Sequence, residues 1–225
     1  GLWRVLRLFN RRDLPLTVFG VAMALARNPA AVAAFTARGD EIACHGLRWM
    51  SYQNVDEDVE REHMADAVRL MTELTGAAPL GWYTGRDSPQ TRRLVVEHGG
   101  FLYDSDSYAD DLPYYVSVGG ARHLVVPYTM VYNDVKFAMP PGMSSPTDFF
   151  DVCRRGLDEL LREGRGGHPK MMSIGLHPRW VGQAGRTSAL REFIEHALGE
   201  SDVWFTTREE IARFWLAEHP DVPVR

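Results

Sequence analysis

Cysteine is scarce in this sequence. Cys44 and Cys153 are the only two among 225 residues, and they lie too far apart to suggest a disulfide framework. No apolar run approaches the roughly 18 residues that a membrane-spanning helix needs. Lysine and arginine nowhere gather into a block, and the formal net charge is −5, so the clustered basic footprint of a nucleic-acid binder is missing. The opening residues carry no secretory leader pattern. Together these absences lead us to expect a reducing, cytoplasmic setting, with neither nucleic acid nor membrane as partner. An initiator methionine is missing too. "GLWRVLRLFNRRDLP" reads as a helix already under way, with Leu2, Val5, Leu6 and Phe9 on one face. The natural protein is therefore expected to continue upstream.

What is present suits one compact domain over residues 1–225, with 45% hydrophobic and 24% charged residues. Short apolar strands alternate with amphipathic helices. Strands are expected at "PLTVFG" (15–20), "EIACHG" (41–46), "LGWYTG" (80–85), "FLYDSDSY" (101–108), "HLVVPYT" (123–129), "KMMSIGLH" (170–177) and "VWFTT" (203–207). Between them fall helical stretches at 22–39 (broken near Pro29), 56–76, from Ser88 onward, 145–164, 186–200 and 208–219. The stretch 56–76 is the clearest, with Val59, Met64, Val68, Met71 and Leu74 as its apolar stripe and Gly76 as its cap. Repeated β-then-α units predict a parallel sheet with helical crossovers, either a barrel or a doubly wound sheet.

Side chains alternate across a strand, so Ile42 and Cys44 share one face while Ala43 and His45 share the other. In "MSIGLH", Met172, Ile174 and Leu176 oppose Ser173, Gly175 and His177. Bulky residues belong against the helix layer. Both histidines should then face the interior at the carboxyl ends of their strands, where α/β folds place their sites. Cys44 falls on the helix side and reads as a small buried hydrophobe. The same alternation puts Asp104 and Asp106 on one face. Burying both needs partners, and Arg48, Arg86 and Arg179 stand just beyond strand ends. The plainer alternative is that the two aspartates bind backbone N–H groups in loops. The remaining histidines, His63, His98, His123, His168, His196 and His219, read as solvated or structural.

The stretches "EIACHGLRW", "PLGWYTGRDSPQTRRLV", "GGFLYDSDSYADDLPYY", "PKMMSIGLHPRWVGQAGR" and "VWFTTREEIARFW" resemble the polysaccharide deacetylase superfamily, the NodB-type deformed β/α barrels. Within it they resemble the allantoinase branch, whose members open the hydantoin ring of allantoin to give allantoate. The resemblance implies a seven-stranded deformed parallel barrel, here without its opening strand and first motif. Metal-dependent members carry a His-Ser/Thr-x-x-His motif, in which both histidines hold the metal. His45 matches the first histidine, but the position four residues on is Trp49, whose indole is a donor only. The branch resemblance implies a site without a metal, and Trp49 agrees with that. Arg86 with Pro89 matches the third motif, and Leu176 with His177 the fifth, where the resemblance implies a general acid; Asp104 or Asp106 is the nearest match to the fourth.

The expected catalytic residues are thus His177, Asp104, Arg86 and His45, with Trp49, Arg48, Tyr83, Asp106, Tyr108 and Arg179 around a small ureide substrate. No cofactor is expected. His177 suits proton transfer near neutrality, and Arg86 could orient Asp104 or a substrate carbonyl. The two imidazoles and the two acids should converge in one cup. A zinc-dependent deacetylase of N-acetylated sugars or peptidoglycan is the alternative within the enzymes, and a non-catalytic binding remnant the alternative outside them. Relatives of this kind suggest a homo-oligomer.

Overall fold

A computed structural model describes all of residues 1–225. In chain order the elements are α1 (Leu2–Asn10), β1 (Thr17–Gly20), α2 (Ala22–Ala26), α3 (Pro29–Arg38), β2 (Glu41–Cys44), α4 (Glu57–Thr75), β3 (Gly81–Trp82), α5 (Thr91–His98), β4 (Tyr103–Asp104), β5 (Tyr114–Val118), β6 (Ala121–Val125), a short 3-10 turn (Asp134–Phe137), α6 (Pro146–Arg165), α7 (Ala184–Leu198) and α8 (Arg208–Glu218). They fall into two compact units. The first comprises Gly1–Leu14 and Thr129–Phe205, the second Pro15–Tyr128 and Thr206–Arg225. No helix is long and apolar enough to cross a membrane.

The second unit holds the whole sheet, in the order β1-β2-β3-β4-β6-β5. All neighbours pair in parallel except β5 and β6, which form an antiparallel hairpin. Sequence reading took residues 109–122 for a loop. The hairpin closes there on Gly119 and Gly120, both at positive φ (58° and 83°), the backbone that a two-residue hairpin turn requires. Tyr103 and Val125 in mid-sheet, with Met64 and Met71 of α4, are fully buried.

Local chemistry explains most helix ends. Asp56 caps α4 by accepting from the Asp58 amide, and α4 stops at Gly76 with φ 81°. A capping box of Ser145 and Asp148, followed by Pro146, starts α6, and a second of Thr207 and Glu210 starts α8. The apolar stripe of α4 differs from expectation. Met64 and Met71 are buried as predicted, but Val59 is exposed and Glu60 is buried, because Glu60 accepts from the hydroxyls of Ser88 and Thr91.

In the first unit, α6 packs along α7, and α1 also contacts α7. Two expected strands do not form. Residues 170–177 make a single parallel bridge, Gly175 with Asn133, because their neighbour is the loop leading into the 3-10 turn and not another strand. Residues 203–207 join no ladder.

Candidate active site

In the second unit, the carboxyl ends of neighbouring parallel strands bring His45, Tyr83, Asp106 and Tyr128 together. β2 ends at Cys44, and Gly46 turns the chain at φ 75°, leaving His45 at the strand tip. Its Nδ1 bonds the carbonyl of Tyr83, which can only accept, so Nδ1 carries the proton. The imidazole stacks on the Tyr83 ring (centroids 4.9 Å apart, planes 9° apart). Trp49 stands edge-on to His45 at 4.7 Å, and the Arg86 guanidinium lies over the Trp49 ring at 5.1 Å. Tyr83 also packs against Phe19 and Tyr128, and its hydroxyl bonds that of Tyr108 at 2.9 Å. Burial pushes the phenols of Tyr83 and Tyr108 up, so both stay protonated. One hydroxyl proton is spent in their mutual bond. The other remains for an acceptor outside, and Tyr108 is 54% exposed. Cys44, as expected, lies buried, and burial pushes its thiol up to about 12.

The two aspartates separate sharply in environment. β4 ends at Asp104 because the Asp104 carboxylate accepts the Asp106 amide (2.9 Å), a side-chain turn that breaks the period-two alternation. Asp104 is 1% exposed, with Arg92 bound to both its oxygens (2.8 and 3.0 Å) and His123 at 2.9 Å. Burial alone would raise its pKa, but His123 and Arg92 outweigh that and hold the carboxyl below the usual range. It has no opening onto the cluster. Asp106 accepts from the amides of Thr84 (2.8 Å) and Gly85 (2.6 Å). Burial, with the Asp104 charge second, pushes it up to about 7, against the pull of the two amides. Asp106 is thus the acid in this unit that can change protonation near neutrality.

One expectation is corrected here. Arg86 does not orient Asp104; Arg92, reaching back from the first turn of α5, does, and also bonds the Asp106 carbonyl. His123 takes the structural of its two expected readings, as a buried partner of Asp104. Asp104 and Asp106 take different partners: Arg92 and His123 for the first, two backbone amides for the second. Arg48 lies exposed on the loop after β2. Arg208, at the start of α8, is buried and ties β4 to the end of β6, donating to Ser105 and to the carbonyls of Val126 and Pro127.

The first unit holds His177. Its Nδ1 bonds Asp134 Oδ1 at 2.7 Å, while the other oxygen of Asp134 accepts the amides of His177 (2.8 Å) and Val181 (3.0 Å). Asp134 is fully buried and absent from the sequence-based expectations: it opens a short 3-10 turn 43 residues from its partner, in a stretch without apolar periodicity. A carboxylate on Nδ1 fixes the tautomer and leaves Nε2 to take or give a proton. Arg179 is exposed, its guanidinium 5.4 Å from the Trp180 ring.

Metal-dependent relatives raise the question of a metal. Nowhere in the chain do three His, Cys, Asp or Glu side chains gather to hold one. The neighbour that the turn after β2 brings to His45 is the indole of Trp49, which does not ligate. The donor set therefore does not fit a metal.

Comparison with known proteins agrees with this architecture. The polysaccharide deacetylase family model matches residues 1–99. A Schizosaccharomyces pombe protein named as a polysaccharide deacetylase is 40% identical over 236 residues, covering 98% of this chain and 74% of that protein. A peptidoglycan deacetylase of Helicobacter pylori is 26% identical, covering 100% of this chain and 72% of its own. Among solved structures, a Pseudomonas aeruginosa protein named as a polysaccharide deacetylase superposes with a TM-score of 0.95 at 53% identity, covering 98% of this chain and 74% of that one. The crystal structure of PuuE allantoinase also gives 0.95 at 53%, covering 98% and 73%. A largely parallel sheet with its acid and imidazole at the strand tips, and a relative this close over nearly all 225 residues, place the chain in the NodB-type polysaccharide deacetylase family.

Proposed function

We propose that this family hydrolase cleaves the C–N bond of a cyclic amide, opening the hydantoin ring of allantoin to allantoate. The observation that carries the reading is Asp106: a carboxyl pushed up to about 7 beside protonated phenols and a stacked imidazole, among residues that form no metal site. The likeness to PuuE allantoinase supports it.

Amide hydrolysis without a metal needs a base for water, a donor for the developing oxyanion and an acid for the leaving nitrogen. Ionised Asp106 takes a proton as water oxygen bonds to the ring carbonyl carbon. The free proton of the Tyr83–Tyr108 pair donates to a substrate oxygen. Protonated His177, stabilised by Asp134, supplies the proton to the nitrogen as the C–N bond breaks. His45, Trp49 and Arg86 present a polar and aromatic surface suited to a neutral ureide dense in N–H and C=O groups. Asp104 is reassigned from catalysis to holding Asp106.

The test is to incubate the protein with allantoin, with and without EDTA, while following allantoate. We expect turnover that chelator leaves unchanged. His177→Ala and Asp106→Asn should each lower it by roughly 10²–10⁴. Acetate released from N-acetylglucosamine oligomers only when a divalent metal is added, with no allantoate formed, would overturn the reading. Binding of allantoin without turnover would point to a non-catalytic role.

A further inference from the structure

The first unit carries a second concave site, and its charge pattern is unlike the rest of the chain. On several other helices, arginines stand three or four residues from a carboxylate that they pair with. Arg69 lies between Asp66 and Glu73, Arg154 between Asp151 and Asp158, and Arg213 follows Glu209. α1 offers its arginines no such partner. Residues 1–12 contain no acid at all, yet Arg4, Arg7 and Arg11 recur at spacings of three and four, which puts them on one helix face. The helix C-terminus favours a cation near Arg7 and Arg11, but like charges at that spacing repel and no carboxylate on α1 offsets them.

These three guanidinium groups, with Arg191 of α7, line a cavity of about 340 Å³ that has no carboxylate in its wall. Arg4 is anchored by donating to the Gly182 carbonyl, and Arg191 reaches Glu192 and Glu195 only at 3.5 Å. Arg7 and Arg11 are exposed and have no ion-pair partner. The apolar floor is Leu8, and Thr187 is tied down by bonds to Val181 and Gln183. Both helices are 9 residues or longer, so their side chains hold a fixed relative spacing along each axis.

We propose that this cavity binds a small phosphate-bearing molecule. Each guanidinium offers a planar fork of donors that matches phosphate oxygens in pairs, and an anion spanning several forks removes the repulsion that α1 otherwise carries. The volume lies at the small end of ligand pockets, roughly 300–1,000 Å³, which admits a phosphate or pyrophosphate group with a modest attached body. The site uses none of the residues assigned to hydrolysis and stands or falls independently of that assignment.

Isothermal titration at constant ionic strength, with inorganic phosphate, pyrophosphate and citrate as separate probes, tests it. Saturable binding of pyrophosphate is expected, tighter than citrate. It should weaken at least tenfold in the double variant Arg7→Ser with Arg11→Ser, and recover only in part in Arg7→Lys with Arg11→Lys, where charge remains but the fork is gone. Both positions are exposed, so the fold and amide hydrolysis should be unchanged. Pyrophosphate that does not bind, that binds the serine variant equally, or that binds no better than citrate would overturn the proposal.

Discussion

Replacing Asp106 with asparagine gives a quantitative test of the electrostatics. The carboxyl moves from its ordinary 3.8 to about 7 in the fold, chiefly through burial, with Asp104 second. At about 1.4 kcal/mol for each tenfold change in proton affinity, that difference corresponds to about 4 kcal/mol. The sign follows from which state holds the proton. Between pH 3.8 and about 7 the folded protein keeps it and the unfolded chain does not. The stability that protonation contributes is complete below pH 3.8 and is lost as pH rises through about 7, at about 1.4 kcal/mol per pH unit. Asparagine cannot ionise, so the variant lacks that slope. It carries instead a constant penalty. Its amide group turns a donor toward one of the two amides of Thr84 and Gly85 that the carboxylate now satisfies, at a cost of about 1–3 kcal/mol.

Urea unfolding of both proteins from pH 4 to pH 8 separates the two effects, because only the first depends on pH. We expect the wild type to be the more stable at about pH 4, and the stability difference to move toward the variant by about 4 kcal/mol by pH 8. A difference flat to within about 1 kcal/mol would refute the reasoning. So would a slope of opposite sign, which would mean that the amides of Thr84 and Gly85 outweigh burial and hold the carboxyl low.

Asp134→Asn keeps the size of the side chain but weakens its grip on His177 Nδ1–H; steady-state kinetics should show a fall of roughly 10²–10⁴ in kcat with little change in KM. Glu60→Ala leaves the buried hydroxyls of Ser88 and Thr91 without their acceptor, and chemical denaturation should show a loss of about 1–3 kcal/mol, smaller for Glu60→Gln. Gly81→Ala would put a methyl 2.3 Å from the ring of Tyr103, which is fully buried and fixed by its bond to Glu41; a loss of about 1–3 kcal/mol is expected, read as a lower denaturation midpoint at unchanged slope.

The parts of this fold that sequence reading anticipated are those where one short stretch carries its own signal. β1, β2, α4 and α6 announce themselves through alternation, a capping residue or a left-handed glycine, all within a few residues. The β5–β6 hairpin had such a signal in Gly119–Gly120, which was passed over as loop composition. The site is different, because its decisive contacts are made by distant residues. Asp134 meets His177 across 43 positions, and nothing near Asn133 or Asp134 marks that loop as chemical. Sequence position favours Arg86, just beyond a strand end, over Arg92, which lies inside a helix. An arginine side chain is long enough to reach from the first turn of a helix to a strand tip.

The aspartate pair shows why face alternation could not assign the roles. Period two holds only while the backbone stays in the ladder, and Asp104 ends the ladder by capturing the amide two residues on. Past that bond, the Asp106 carboxyl takes the amides of Thr84 and Gly85 as its partners, and not Arg92 or His123. The cations then neutralise one carboxylate, while the other, buried beside a fixed negative charge, is left to titrate. Two identical side chains two residues apart therefore carry opposite shifts, and the one driven toward neutrality is the one whose charge acts on the phenols of Tyr83 and Tyr108. Removing the cation from Asp104, as in Arg92→Met, should leave its charge uncompensated and push Asp106 higher still. The structural acid and the reactive one are thus set by a single network, and the first is what tunes the second.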